Sequence, residues 1–201
     1  YRYRGKAYDE SDHAYGQRMA NALESKILRL GADKVMAFLA EPVVGATLGA
    51  VAAEAGYFTR IREICDHYGV LLILDEVMCG MGRTGSLFAC DHDQVRPDII
   101  AIAKGLGAGY QPVGAMLCSK DIYEAIAAGS GFFQHGHTYL AHPVACAAAH
   151  AVLSKIIETG LPSRAAMMGN RLIQALQSAF GQHPFIGDIR GRGLFIGMEF
   201  V

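Results

Sequence analysis

Apolar residues along this chain fall into two alternating patterns: short unbroken runs, and runs spaced for one face of a helix. Val35 to Ala40, Val70 to Leu74 and Ile99 to Ala103 contain no polar residue, which is the pattern of strands buried in a parallel sheet. Val113 to Cys118 predicts a further strand. Ser11 to Leu30 places Met19, Leu23, Ile27 and Leu30 at helical spacing before Gly31, and Tyr57 to Tyr68 places Ile61, Ile64 and Cys65 on one face before Gly69. Both glycines read as helix stops. The succession from Val35 through the second helix to Leu74 is therefore a strand-helix-strand unit, expected to be parallel and right-handed. Downstream, Val144 to Ile157 and Ser163 to Phe180 predict helices. Ile186 to Val201, broken at Gly191-Arg192-Gly193, predicts a hairpin or bent strand.

With 201 residues, 52% of them hydrophobic and 18% charged, the chain suits one or two domains with a large core rather than disorder. Its net charge of −1 comes with no basic patch interleaved with aromatics, which argues against a nucleic-acid partner. No uninterrupted apolar run is long enough to span a bilayer, so no membrane association is expected. The five cysteines (Cys65, Cys79, Cys90, Cys118 and Cys146) are odd in number and form no CxxC pair. They read as free thiols of a reducing cytoplasm.

The candidate chemistry sits where two apolar runs end. Val70 to Leu74 breaks into Asp75-Glu76 and the glycine-rich Gly80 to Gly85, while Ile99 to Ala103 breaks into Lys104 and Gly105 to Gly109. Lys104 is the only lysine between Lys34 and Lys120. Open α/β sheets bind ligands at the carboxyl ends of their strands. A carboxylate and an ammonium are each costly to bury alone, so this pair is either a structural salt bridge or the two sides of a shared cationic cofactor. Pyridoxal phosphate chemistry uses both groups. A buried lysine offers a neutral amine to the cofactor aldehyde, and an aspartate keeps the pyridine nitrogen protonated. Val77, two residues after Asp75, would point the same way in an extended strand end.

Other motifs carry less. Glu41 repeats the pattern of a carboxylate at a strand end, either framing the site or capping and pairing near Arg83. The loop from Gly105 to Gly109 lacks GxGxxG spacing and leads to a strand, so it reads as room beside Lys104 rather than as a nucleotide loop. His135, His137 and His142 could suggest a metal, but they lie in a loop without companion carboxylates or thiols, and no metal is expected.

The stretch Leu74-Asp-Glu-Val-Met-Cys-Gly-Met-Gly-Arg-Thr-Gly85, with Arg96-Pro97-Asp98, Ala103-Lys104-Gly105, Gln111 to Ala115, Glu41 to Gly45 and His135 to Tyr139 with His142-Pro143, resembles the class III pyridoxal-phosphate aminotransferases over nearly the whole chain. The resemblance implies an α/β fold of the aspartate-aminotransferase type (fold type I): a three-layer large domain with a mostly parallel sheet, then the start of an α+β small domain. Residues 1–153 would form the cofactor-binding unit and 154–201 the beginning of the second. It implies pyridoxal 5'-phosphate held by Lys104 as a Schiff base, with Asp75 at its ring nitrogen and Val77 on one ring face. Thr138 would donate to the phosphate of the neighbouring subunit in a homodimer.

The implied reaction is transamination between an amine or ω-amino acid and a small 2-keto acid such as pyruvate. Family members that take glutamate often carry a second glutamate where this chain has Ala46, and glutamine near Met78-Cys79. The alternatives are an aminomutase using the same lysine and aspartate, and a non-enzymatic nucleotide or small-molecule binding module. The sequence is expected to be an internal fragment, with the main phosphate loop before it and an arginine for substrate carboxylates after it.

Overall fold

A computed structural model describes residues 2–201. A single turn, α1 (Arg2–Gly5), precedes α2 (Asp12–Leu30). The Ser11 hydroxyl accepts the Ala14 N–H at 3.1 Å, satisfying one of the donors that a helix start leaves free. Strand β1 (Ala37–Ala40) follows, then a small antiparallel pair, β2 (Val43–Val44) with β3 (Val51–Ala52). Helix α3 (Tyr57–Tyr68) ends in a left-handed Gly69 and feeds β4 (Leu71–Asp75).

Strand β5 (Ile99–Ile102) and strand β6 (Ala115–Cys118) complete a four-stranded sheet in the order β1-β4-β5-β6. The first three strands are parallel and β6 is antiparallel to β5, so the expected mostly parallel α/β sheet is present. Its register puts Asp75 opposite Ala101. The starts of β4 and β5 are tied by Asp98, which accepts from the Leu72 N–H at 2.7 Å and from Arg62 at 2.8 Å.

The strands are not buried on both sides, as their unbroken apolar runs suggested. Leu72, Leu74, Ile100 and Ile102 share one buried cluster with Ala20 and Ile27 of α2 and Phe58, Ile61 and Ile64 of α3. Each of the Leu, Ile and Phe side chains contributes about 1.5–3 kcal/mol on burial. Leu71, Ile73, Asp75, Ile99 and Ala101 point to the other face and are half-buried. The helices that this chain supplies cover only the first face.

Helix α4 (Lys120–Ala128), which the apolar pattern did not announce, follows β6. Helix α5 (Pro143–Glu158) runs through Ser154 without a break, and α6 (Leu161–Phe180) leads to a hairpin of β7 (Ile186–Arg192) and β8 (Phe195–Phe200). Gly191 and Arg192 stay in the strand, and the turn falls at Gly193–Leu194. Buried Arg190 joins the hairpin to the loop before β3. It donates to the carbonyls of Leu48 at 2.7 Å and Gly49 at 2.9 Å and pairs with Glu199 at 3.0 Å. Among the described residues no single helix is long and apolar enough to cross a membrane; α5 and α6 reach that length only as a pair bent by 65°.

Candidate active site

Strand alternation decides which of the two adjacent acids meets the open face. Side chains of a strand point alternately to opposite sides, so Asp75 shares the half-open face with Leu71 and Ile73, while Glu76 turns inward and is fully buried. Both Glu76 oxygens are taken: one accepts the Ala89 N–H at 2.6 Å, the other the Cys90 N–H at 2.8 Å. Burial pushes the Glu76 carboxyl above its ordinary range, and these N–H groups pull it part of the way back.

Asp75 is held more lightly. Its Oδ1 accepts the Val77 N–H at 2.9 Å. The strand ends at Asp75 and Val77 begins a turn, so the two are joined by this local hydrogen bond and not by the shared strand direction that their spacing implied.

On the neighbouring strand, β5 ends at Ile102 and Lys104 opens a short 3-10 turn, Lys104–Leu106. Lys104 has φ of 42°, a left-handed conformation that side chains other than glycine seldom adopt and that clusters at functional sites. Met81 (φ 59°) and Ala108 (φ 47°) share this conformation nearby. The Lys104 side chain is exposed, contrary to the buried amine expected of it. It stands at the rim of an open cleft of about 690 Å³, lined also by Arg83, Gly105, Gln111, Pro112 and Val113.

Among the described residues, neither Asp75 nor Lys104 makes an ion pair, with each other or with any other group. The structural salt bridge that could have explained their placement is not formed.

Thr138 lies elsewhere. It is exposed in the loop before α5, and its hydroxyl makes no hydrogen bond among the described residues. Its neighbours His137 and Tyr139 line a second groove of about 740 Å³ that shares only Gln111, Pro112 and Val113 with the Lys104 cleft. His135 and His137 stack edge to face at 5.0 Å. Among the described residues no group of three or more His, Cys, Asp or Glu is placed to hold a metal. Glu41 caps its own loop by accepting the Gly45 N–H at 2.9 Å and does not pair with Arg83.

Two residues at this edge went unassigned in the sequence. Glu76 could have been found by carrying the period-two alternation of β4 one residue further. Arg83 could not, because only the folded turn brings its guanidinium against Gly105.

Residues 3–201 match the sequence model of the family described as aminotransferase class-III. An aminotransferase of Gibberella zeae is 48% identical over 99% of this chain and 39% of its own length. A thermostable (S)-enantioselective omega-transaminase from Thermomicrobium roseum superposes with a TM-score of 0.94 at 40% identity, covering 100% of this chain and 44% of that one. The omega transaminase from Pseudomonas jessenii in complex with PMP gives 0.93 at 38% identity, over 100% and 45%. The chain thus spans less than half the length of the proteins it matches.

Proposed function

The chain belongs to the class-III aminotransferase family, and from that premise we propose that the full-length protein transfers an amino group between an amine or ω-amino acid and a small 2-keto acid, with pyruvate as acceptor. Class-III aminotransferases depend on pyridoxal phosphate, and the side chains at the strand ends fit that group chemically. An amine, Lys104, and a carboxylate, Asp75, stand at adjacent strand ends, neither neutralised by an ion pair. That pairing of available groups is the observation that carries the proposal.

Lys104 would hold the cofactor through its Nζ, Asp75 would keep a proton on the ring nitrogen, and Val77 would cover one ring face. When bound, the cofactor supplies an electron sink for the bond broken at the substrate carbon. With the substrate amine held at the site, Lys104 Nζ would take and return a proton at the substrate carbon as general base and acid. The acceptor preference is supported by Ala46, small and exposed in the turn after Glu41, where no charge is offered to a second substrate carboxylate. The same reading puts the cofactor-binding unit at residues 1–153 and the next unit from 154 onward.

The test is borohydride reduction of the full-length protein with pyridoxal phosphate, followed by peptide mass analysis. The adduct is expected on Lys104, and Lys104→Ala should lower turnover by at least roughly 10²–10⁴-fold. An adduct on a different lysine, or none, would overturn the assignment.

The proposed active unit is a homodimer in which Thr138 donates to the partner's phosphate site; the unpartnered Thr138 hydroxyl supports this. In a heterodimer of Lys104→Ala and Thr138→Ala chains, donation across the interface unites intact Lys104 with intact Thr138 in one site. Such heterodimers should keep about half the wild-type activity, by counting independent sites. Activity no better than that of the Thr138→Ala parent would exclude the crossing.

A further inference from the structure

The strained backbone of Lys104 must be held by whatever packs against its turn, and that packing can be followed residue by residue. A Cβ added to Gly105 would lie 2.8 Å from Met81 Cβ and 3.3 Å from Arg83 Nη2. Position 105 therefore tolerates only glycine, and the Met81 and Arg83 side chains press directly on the turn. The same Nη2 donates to the Val77 carbonyl at 3.4 Å, a weak bond, and Arg83 Nε is buried with no partner. The guanidinium is thus wedged between the segment after Asp75 and the segment after Lys104 more by packing than by its own hydrogen bonds.

What fixes Arg83 comes from the far end of the chain. Its carbonyl accepts the Leu194 N–H at 2.9 Å, at the tip of the β7–β8 hairpin. A Cβ on Gly193, whose φ is 54°, would meet the Arg83 carbonyl oxygen and the Thr84 carbonyl carbon at 2.6 Å. Backbone lies on backbone there, with no side chain between to give way. Arg192, the neighbouring residue, pairs with Asp93 at 3.2 Å and donates to the Ala53 carbonyl at 3.0 Å, so the strand leading into this contact is anchored as well.

We infer that Arg83 is a positioning residue for Lys104, itself set by the hairpin tip Gly193–Leu194, so that the tip acts on the reactive lysine without touching it. This rests on the proposed role of Lys104 for its functional meaning, but the mechanical link can be tested apart from that role. The two ends of the relay are 89 residues apart in sequence (193 − 104), and the Gly80–Gly85 turn lies against both of them. The direct route from the tip to the cleft runs through the position of the Arg83 backbone.

The experiment uses full-length protein stripped of cofactor and a brief pulse of acetic anhydride. It reads the rate of acetylation of Lys104 relative to Lys120, whose side chain is 82% exposed and lies outside the relay. Arg83→Met and Gly193→Ala should each free the strained turn and raise the Lys104:Lys120 ratio by at least about threefold. The double variant should exceed neither single by more than about 1.5-fold, because both act on one link. In reconstituted enzyme, kcat should fall about tenfold or more while the donor KM stays within about twofold, the pattern of a misplaced group.

A ratio for Arg83→Met at or below the wild-type value, in protein whose melting temperature shows it folded, overturns the inference; so does an additive double variant. If Gly193→Ala does not fold, Arg83→Met alone decides. Borohydride trapping of wild-type enzyme on another lysine would overturn the proposed function while leaving the labelling ratio to judge the brace.

Discussion

Asp75 and Glu76 are consecutive carboxylates at the end of one strand, and the fold treats them in opposite ways. Glu76 is fully buried, with each oxygen receiving a backbone N–H from the loop at Ala89 and Cys90. Asp75 is half-buried and, among the described residues, receives only the local Val77 N–H. Full burial with a donor on each oxygen closes Glu76 to a ligand, whereas Asp75, on the open face, keeps an oxygen with no donor among those residues. Arg190 and Arg83 repeat the contrast among cations. Arg190 is satisfied by two carbonyls and two carboxylates, and Arg83 keeps an unpartnered nitrogen beside the cleft. Structure and chemistry are thus separated here by burial and by how many partners each polar group has, not by distance along the chain.

Swapping the two carboxylates experimentally should separate stability from turnover. Glu76→Ala leaves two buried N–H groups without an acceptor and should cost about 3–5 kcal/mol of stability, read as a lowered denaturant midpoint. Asp75→Asn should leave stability within about 0.5 kcal/mol and instead raise the barrier to proton transfer by about 3–4 kcal/mol, read in single turnovers. If Asp75→Asn unfolds the protein as readily as Glu76→Ala does, the division is wrong.

Lys104 sharpens the same contrast at lower amplitude. Its φ of 42° is a conformation that costs a side chain about 1 kcal/mol and costs glycine little. Lys104→Gly should therefore raise the melting temperature while abolishing covalent attachment of the cofactor. A site in which removing the proposed reactive residue stabilises the fold is one where strain is kept for use. A drop in melting temperature for Lys104→Gly would mean that the lysine side chain supports the structure.

What could be read ahead of the structure follows from how local each signal is. Periodicity and glycine stops located α3 at 57–68 and α2 within a residue of its start, because caps and burial face are written in contiguous residues. The strand ends bearing Asp75 and Lys104 were legible for the same reason. The exposure of Lys104 was not, since it depends on what else lines the cleft. Nor was the half-open sheet, because unbroken apolar runs look the same whether one face or both are covered. Helix α4 escaped notice as a short segment whose Ser119 cap accepts the Ile122 N–H at a long 3.4 Å. Arg83 and the hairpin tip depend on contacts far apart in sequence, which no local pattern encodes.

The smallest effect tests which force wins at Glu76. Burial raises its pKa above the ordinary 4.5, while the N–H groups of Cys90 and Ala89 oppose the rise. With the folded value above the unfolded one, the native state binds the proton more tightly. The stability this contributes is fully present below the unfolded value, falls as pH climbs through the folded one, and is flat beyond it. Glu76→Gln has the same shape and no titration. Its amide donor beside the two N–H groups costs a roughly constant amount, so the difference in unfolding free energy between wild type and variant isolates the carboxyl. Neighbouring thiols do not intrude, since burial pushes Cys79 up to about 12 and Cys90 higher still. Denaturant midpoints between about pH 4 and 8 should show the wild-type advantage shrinking as pH rises, by no more than about 1.4 kcal/mol per unit. A wild-type advantage that grows with pH would mean that the paired N–H donors, not burial, set the charge of Glu76. The acid on the structural face would then be ionised in the native state, and burial alone would set it apart from Asp75.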